Sequence, residues 1–214
     1  MMRDFTDKCI VLRISEYRDD DRLADVLTAA NGLVGVQFRG VKKAKAKLKP
    51  FAQCFAVFDA RLTSTRGKFL TPVEPMLIQD GFGLCSDLKI FTAASVAAEA
   101  TVRSICDDEP HTDMFVEFLR LVRALQSDGD PYYCAAAYMC ALLKMSGFYR
   151  EYTYSDDPKT PIQLLGYAQR YGYEPTARPD CDLARRALKY ACGEFSRNFD
   201  IGLKSADSID LYAD

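Results

Sequence analysis

GLVGVQFRGVKKAKAKLKPF, residues 32–51, changes character halfway along. Val34, Val36 and Phe38 alternate with Gly35, Gln37 and Arg39, the two-residue period of a half-buried strand. Gly40 then opens a segment in which Lys42, Lys43, Lys45, Lys47 and Lys49 fall within eight residues before Pro50. Acidic residues are absent from the whole interval between Asp25 and Asp59. A strand running into an undiluted cationic loop is how small β-barrels face phosphates. A solvated loop kept soluble by lysines has the same composition, so the stretch alone does not choose between the two.

The flanking sequence supplies a scaffold. Upstream, residues 8–16 set Ile10, Leu12 and Ile14 against Cys9, Val11 and Arg13 and predict a first strand. Residues 18–22 form a charged turn holding Asp19, Asp20 and Asp21. Three consecutive carboxylates cannot all converge on one ion, so a solvated turn is expected rather than a metal site. Residues 23–29 resume an apolar pattern, and Asn31-Gly32 is a strong hairpin signal joining it to the Gly32–Val41 strand. Downstream, FAQCFAVFDARL (residues 51–62) predicts a fourth strand and residues 66–78 a fifth, which Pro72 and Pro75 assign to an edge. Five short strands with regular turn signals fit a five-stranded OB-fold barrel, with an open sandwich nearly as compatible.

At Gly81-Phe82-Gly83 the period changes. Leu88, Phe91, Ser95, Ala98, Val102 and Ile105 follow helical spacing, as do Met114, Phe115, Phe118, Leu119, Val122 and Leu125. A third helix is punctuated by Asp130 as N-cap, Pro131 in the first turn and Gly147 as its stop. Residues 148–180 hold four prolines and six of the twelve tyrosines, and are expected to be irregular and pinned by those rings to a helical core. A last helix spans 181–199. The expected class is α+β: an N-terminal OB-fold barrel over residues 1–80 and an α-helical domain over 81–214.

The formal net charge of −2 hides a polarity, with residues 1–80 carrying +4 and residues 81–214 carrying −6. The cations are therefore concentrated in the half expected to form the barrel, as a phosphate-binding surface requires. No apolar run reaches the ~20 residues of a membrane span, and the N-terminus lacks signal-peptide features; a cytoplasmic protein without membrane association is expected. The eight cysteines contain no C-x-x-C pair, which favours buried thiols over a metal module. Catalytic chemistry finds little support. The single histidine, His111, sits in an acidic linker without an accompanying nucleophile motif, and no G-x-x-x-x-G-K-[ST] loop is present. The adjacent carboxylates at 107–109 and 156–157 read as linker solvation. The chain is expected not to be an enzyme and to need no cofactor.

CIVLRISEY (residues 9–17) and RLADVLTAANGLVGVQFRGVKKAKAKLKPFAQCF (residues 22–55) resemble the opening of the bacterial recombination mediator family RecO. The matching positions are Val11, Leu12, Arg13, Tyr17, Leu27, Thr28, Gly32, Arg39, Gly40, Lys42, Lys43, Pro50 and Phe51. LLKMSGF (residues 142–148) and GLKSADSI (residues 202–209) are similar to the family's later segments. The resemblance implies an OB-fold followed by helices, binding of single- and double-stranded DNA, annealing of complementary strands, and help in loading recombinase during DNA repair and homologous recombination. It also implies two protein partners, RecR and the C-terminal tail of single-strand DNA-binding protein, and a nucleoid-associated cytoplasmic location.

On that reading Arg39, Lys42, Lys43, Lys45, Lys47 and Lys49 contact DNA, and Arg61, Arg66 and Lys68 on the next hairpin extend the track. Phe38 or Phe69 would stack on bases if exposed. Three departures from the family pattern stand out. Residues 148–180 lack the four-cysteine zinc module of many relatives, so no metal is expected. Ala135, Ala136 and Ala137 replace the arginines that grip the partner's tail, for which Arg120, Arg123 and Lys144 are the substitutes. Ala206 stands where an arginine usually follows the K-S pair. The alternatives are an RNA-binding OB-fold protein, or an interaction adaptor whose lysines only keep it soluble.

Overall fold

β1 (Arg3–Tyr17) is longer than its alternating core predicts, because it serves two partners in turn. Its first half, residues 3–10, pairs with β4 (Val57–Ser64), and its second half, from Cys9 onward, pairs with β2 (Asp21–Thr28), both antiparallel. The two pairings overlap at Cys9 and Ile10, and a register shift between Val11 and Arg13, within the β2 pairing, lets the strand coil. β3 (Leu33–Phe38) pairs with β2, and β5 (Thr71–Gln79) with β4, giving the order β3-β2-β1-β4-β5. These strands belong to a computed structural model that describes residues 3–64, 68–106, 109–127, 129–174 and 179–211.

The sheet edges meet. Leu70, just before β5, forms a parallel bridge with Val36 of β3. The Gln37 N–H donates to the Leu70 carbonyl at 2.8 Å and the Leu70 N–H to the Gly35 carbonyl at 2.9 Å. A coiled β1 shared by both halves and a parallel closure between the third and fifth strands define an OB-fold barrel. Its core gathers the inward-facing alternates Cys9, Val11, Ala24, Val26, Val34, Val36, Phe38, Phe58, Ala60 and Leu62. The predicted hairpin is present: Gly32 has φ 69°, and its carbonyl accepts from both the N–H and the hydroxyl of Thr28.

The expected fourth strand, residues 51–62, begins later. Residues 51–56 run through turns, with Phe55 at φ 66°, before β4 starts at Val57. Ala52 and Ala56 join the barrel core, Phe51 packs against it, and Phe55 is buried. The fifth strand is an edge, as its prolines require, and Glu74 at φ 47° sits at the register shift beside Pro75. Two compact units are distinguished, one comprising residues 1–85 with 105–115 and the other residues 86–104 with 116–214. The first contains the barrel, a one-turn helix α1 (Phe82–Cys85) and the Thr112 hydroxyl, which donates to the Ala29 carbonyl at 2.7 Å.

The second unit is helical, built from α2 (Leu88–Ser104), α3 (Thr112–Leu125, from Val116 on), α4 (Pro131–Met145), α5 (Pro161–Tyr171) and α6 (Cys181–Phe199). A 3-10 segment, Lys204–Asp210, follows. α4 is the central element, with Tyr132 to Cys140 buried without a break. Asp130 caps it by accepting the Tyr133 N–H at 2.9 Å, and Gly147 at φ 84° ends it. Its tyrosines find polar partners: Tyr138 shares a 2.5 Å hydrogen bond with Thr101, and Tyr133 donates to the Gly172 carbonyl at 2.8 Å.

The segment expected to be irregular contains α5, started by a capping box between Thr160 and Gln163 with Pro161 in the first turn. Its apolar run is short, which hid it among prolines. Tyr152 and Tyr167 are buried and Tyr173 donates to Glu117 at 2.7 Å, so these rings do anchor the segment, while Tyr149 stays exposed. The cysteines divide: Cys9, Cys134, Cys140 and Cys192 are buried, Cys54 and Cys181 are partly so, and Cys85 and Cys106 are exposed. Burial pushes the thiols of Cys134, Cys140 and Cys192 up to about 12, which keeps them unreactive at neutral pH. Among the described residues no group of three metal-ligating side chains occurs, and no helix is long and apolar enough to cross a membrane.

Candidate nucleic-acid interface

The lysine segment folds as a cap on one end of the barrel. Val41 is buried, and Leu48 and Phe51 pack against the barrel core, with Phe51 edge-on to Phe58 at 5.6 Å between ring centroids. Between these anchors the backbone makes successive tight turns: Lys43 N–H to Gly40 O, Ala46 N–H to Lys43 O and Lys49 N–H to Ala46 O, at 3.1–3.2 Å. Val41, Leu48 and Phe51 face the barrel, and Lys42, Lys43, Lys45, Lys47 and Lys49 are all left exposed, as is Arg39 after β3. A lysine run that spacing alone assigns only to a loop is thus a shaped, cationic surface.

Asp21 sets the start of the cap. Its carboxylate accepts the Gly40 N–H at 2.8 Å and the Gln37 side-chain amide at 2.7 Å, and Gly40 has φ 65°. The Gly40 hydrogen bond, helped by Gln37, holds the Asp21 carboxyl below its ordinary value. Because the folded-state value is lowered, this contribution is complete above the ordinary value of 3.8 and is lost as the pH falls through the lowered one. Asp21→Ala is therefore expected to cost about 1 kcal/mol at neutral pH. It should also speed amide exchange at Gly40, and the stability difference from the parent should vanish in acid; urea titrations at two pH values with exchange mass spectrometry check it.

The β1–β2 turn (residues 18–20) is the neighbour common to both cationic stretches. On one side Lys42 pairs with Glu16, Lys43 lies 3.4 Å from Asp20, and the Lys42 N–H donates to the Asp20 carbonyl at 3.2 Å. On the other side Tyr17 meets Phe69 edge-on at 6.0 Å, and Arg18 lies over the Tyr17 ring at 5.1 Å. Phe69 is seated on β3 at Gly35, where a Cβ would come within 2.9 Å of its ring. The exposed Lys68 precedes it. Arg13, paired with Asp25 at 2.9 Å, stands in register across β2 from Gly35.

The other sequence-derived positions are distributed differently. Arg61 projects from β4, where it holds Asp4 through two hydrogen bonds of 2.7 and 2.5 Å. It pairs in register with Thr6, whereas the acid beside the lysines is Glu16; about 33 Å of strand path separates the two. Arg61 and the cap are therefore not brought together along β1. Arg66 lies outside the described residues. Phe38 is fully buried in the barrel core and cannot stack on a base. Tyr17 and Arg18 are the residues that sequence reading missed as site candidates. The signal was Gly35: a glycine on the outward face of a strand marks a place where something packs closely on the backbone.

In the helical unit, Arg120 and Arg123 on α3 line a cavity of about 550 Å³ with Tyr171, Gly172, Tyr173 and Glu174. Lys144 lines one of about 230 Å³ with Glu117, Ala137, Cys140 and Tyr149, and Gly172 and Tyr173 border both. Ala135 and Ala136 are fully buried, so an arginine on that turn could not reach solvent from either position. Arg120 is held by Glu117 at 3.4 Å.

The molecule thus belongs to a class defined by an OB-fold barrel with a cationic cap, followed in the chain by a helical unit. The chain belongs to the recombination protein O family. Residues 2–77 match the family's N-terminal model, "Recombination protein O N terminal", and residues 85–208 its C-terminal one, "Recombination protein O C terminal". It is similar to the DNA repair protein RecO of Anaeromyxobacter sp. (strain K), 28% identical over 55% of this chain and 47% of that protein. It is also similar to RecO of Bacillus subtilis (strain 168), 27% identical over 67% of this chain and 57% of the relative. With RecO of Clostridium acetobutylicum the match is 25% identical over 83% of this chain and 71% of the relative. The matched part of the chain spans about half the length of the first of these relatives.

Proposed function

We propose that this chain is a non-catalytic DNA-binding mediator of recombinational repair. Arg39 and the five cap lysines neutralise backbone phosphates and release their counterions, which yields affinity without sequence preference. The Tyr17–Phe69 pair, with Arg18 and Lys68 beside it, offers stacking for unpaired bases and favours single strands. Screening two anionic strands on one cationic face while base edges stay free promotes annealing. The functional division on this reading is a DNA-binding domain over residues 1–80 and a partner-binding helical domain over 81–214, with Arg61 as a separate, weaker contact. The observation that carries the proposal is the shaped cap of exposed lysines beside an aromatic pair, in a member of this family.

A salt titration of fluorescent single- and double-stranded DNA tests it. A log–log slope near −5 on duplex is expected if about six cations engage. Salt-insensitive or absent binding overturns the reading, and a clear preference for matched RNA would redirect it to an RNA-binding protein.

The partners proposed are RecR, recombinase-loading machinery, and the acidic, apolar C-terminal tail of single-strand DNA-binding protein. The support for the tail is chemical: Arg120, Arg123 and Lys144 stand at two adjoining cavities with aromatic and small apolar walls, suited to an anionic peptide with an apolar end. Arg120→Glu with Arg123→Glu is expected to weaken a fluorescent tail peptide by about ten-fold, with DNA binding by the barrel unchanged. Equal peptide affinity in parent and variant removes these arginines from the site.

A further inference from the structure

The five cap lysines are not equivalent. Glu16 pairs with Lys42 and also takes the Arg22 guanidinium at 3.3 Å, and Asp20 stands 3.4 Å from Lys43. The Lys42 N–H to Asp20 carbonyl bond fixes this end of the cap against the β1–β2 turn, so the pairing does not depend on long side chains alone. By contrast, no carboxylate among the described residues lies within ion-pairing distance of Lys45, Lys47 or Lys49. Asp21 has a different task, since its oxygens are committed to Gly40 and Gln37.

Resting on the reading of the cap as a phosphate-binding surface, we infer that Glu16 and Asp20 are built-in counter-anions that make the cap select runs of closely spaced phosphates over isolated ones. The Glu16 side chain is 62% exposed and Lys42 33%, which makes this an exchangeable surface pair and not a buried bridge. Lys42 holds the Glu16 carboxyl below its ordinary value, so the competing anion is fully charged at neutral pH. A single phosphate arriving at Lys42 or Lys43 meets a lysine already neutralised and a like-charged neighbour. A polynucleotide anchored on Lys45, Lys47 and Lys49 presents its next phosphates at high effective concentration and displaces the carboxylates. Glu16 and Asp20 are thus specificity-determining residues of the same surface.

The test compares Glu16→Gln/Asp20→Asn with a charge-matched control, Glu74→Gln on β5 and Asp80→Asn just after it. The probes are a fluorescent oligothymidylate and, as competitor, a nucleoside monophosphate, which carries one isolated phosphate. The first variant is expected to bind the oligonucleotide about three- to ten-fold tighter at low salt. Its salt slope should steepen by about one. The monophosphate should compete more effectively than with the parent, by a larger factor than the oligonucleotide gains. Unchanged affinity and competition overturn the inference, as does an equal gain in the control, which would assign the effect to net charge. Should the double variant fail to fold, Glu16→Gln alone carries the test with about half the effect in logarithmic terms. Salt-sensitive DNA binding by the parent with no change in the variant sinks this inference alone; a parent that does not bind DNA sinks the phosphate reading with it.

Discussion

Changing Lys42, Lys43, Lys45, Lys47 and Lys49 together to alanine is expected to weaken DNA binding by about a hundred-fold at low salt and to flatten the log–log salt slope by about three to four. The slope loss falls short of the roughly 4.5 that five fully engaged cations would give, because Lys42 and Lys43 already hold Glu16 and Asp20. For the same reason the subset Lys45→Ala/Lys47→Ala/Lys49→Ala should retain most of the effect. The fold should survive, since all five side chains are exposed while the anchors Val41, Leu48 and Phe51 are untouched. Removing exposed charges of this kind shifts stability by only about 0.5 kcal/mol. Anisotropy titrations across a salt series, paired with urea midpoints, read both quantities. Parent-like affinity and slope would show that the lysines serve solubility alone.

Gly81→Ala should lower stability by roughly 2–5 kcal/mol, the largest effect expected from any single methyl in this unit. A Cβ at this position would fall 1.8 Å from the Cys54 carbonyl oxygen and 3.2 Å from the Ala56 nitrogen. Those are backbone atoms and cannot rotate away. They belong to the return from the cap, which is itself bonded to β1 by the Phe55 N–H to Val11 O contact at 2.7 Å and the Val11 N–H to Ala56 O contact at 3.1 Å. The methyl must therefore open the seam between the cap and the barrel. Gly193→Ala in α6 has the opposite expected sign: the nearest atom to a Cβ there is the Arg197 side chain at 3.9 Å. In a helix interior the added methyl should raise stability by about 0.5–1 kcal/mol. Urea unfolding of both variants decides; a Gly81→Ala protein as stable as its parent would mean that the seam yields freely.

Patterns with a short period were readable from the chain by itself. Alternation at 34–38 and 8–16, the Asn31-Gly32 turn, the edge prolines of β5, and the Asp130-Pro131…Gly147 punctuation of α4 each express a local steric or hydrogen-bonding preference, and each locates its element. The family resemblance was legible for the same reason, carried by contiguous residues around the cap. Where local and tertiary demands differ, the pattern misleads. Residues 51–56 read like a strand but turn instead, because Phe51, Ala52 and Ala56 are drawn onto the barrel core. The short stripe of α5 was masked by the surrounding prolines and tyrosines.

The sequence by itself determined that five strands precede a set of helices, and that a dense run of lysines lies between the third and fourth strands. Only the tertiary structure decided which cations act together. It folded the lysines over the β1–β2 turn, neutralised two of them with Glu16 and Asp20, seated Phe69 on Gly35 against Tyr17, and left Arg61 with Asp4. The physical reason is that charge pairing and aromatic contact depend on distance in space. A barrel closed through Val36 and Leu70 brings together residues that no local period relates.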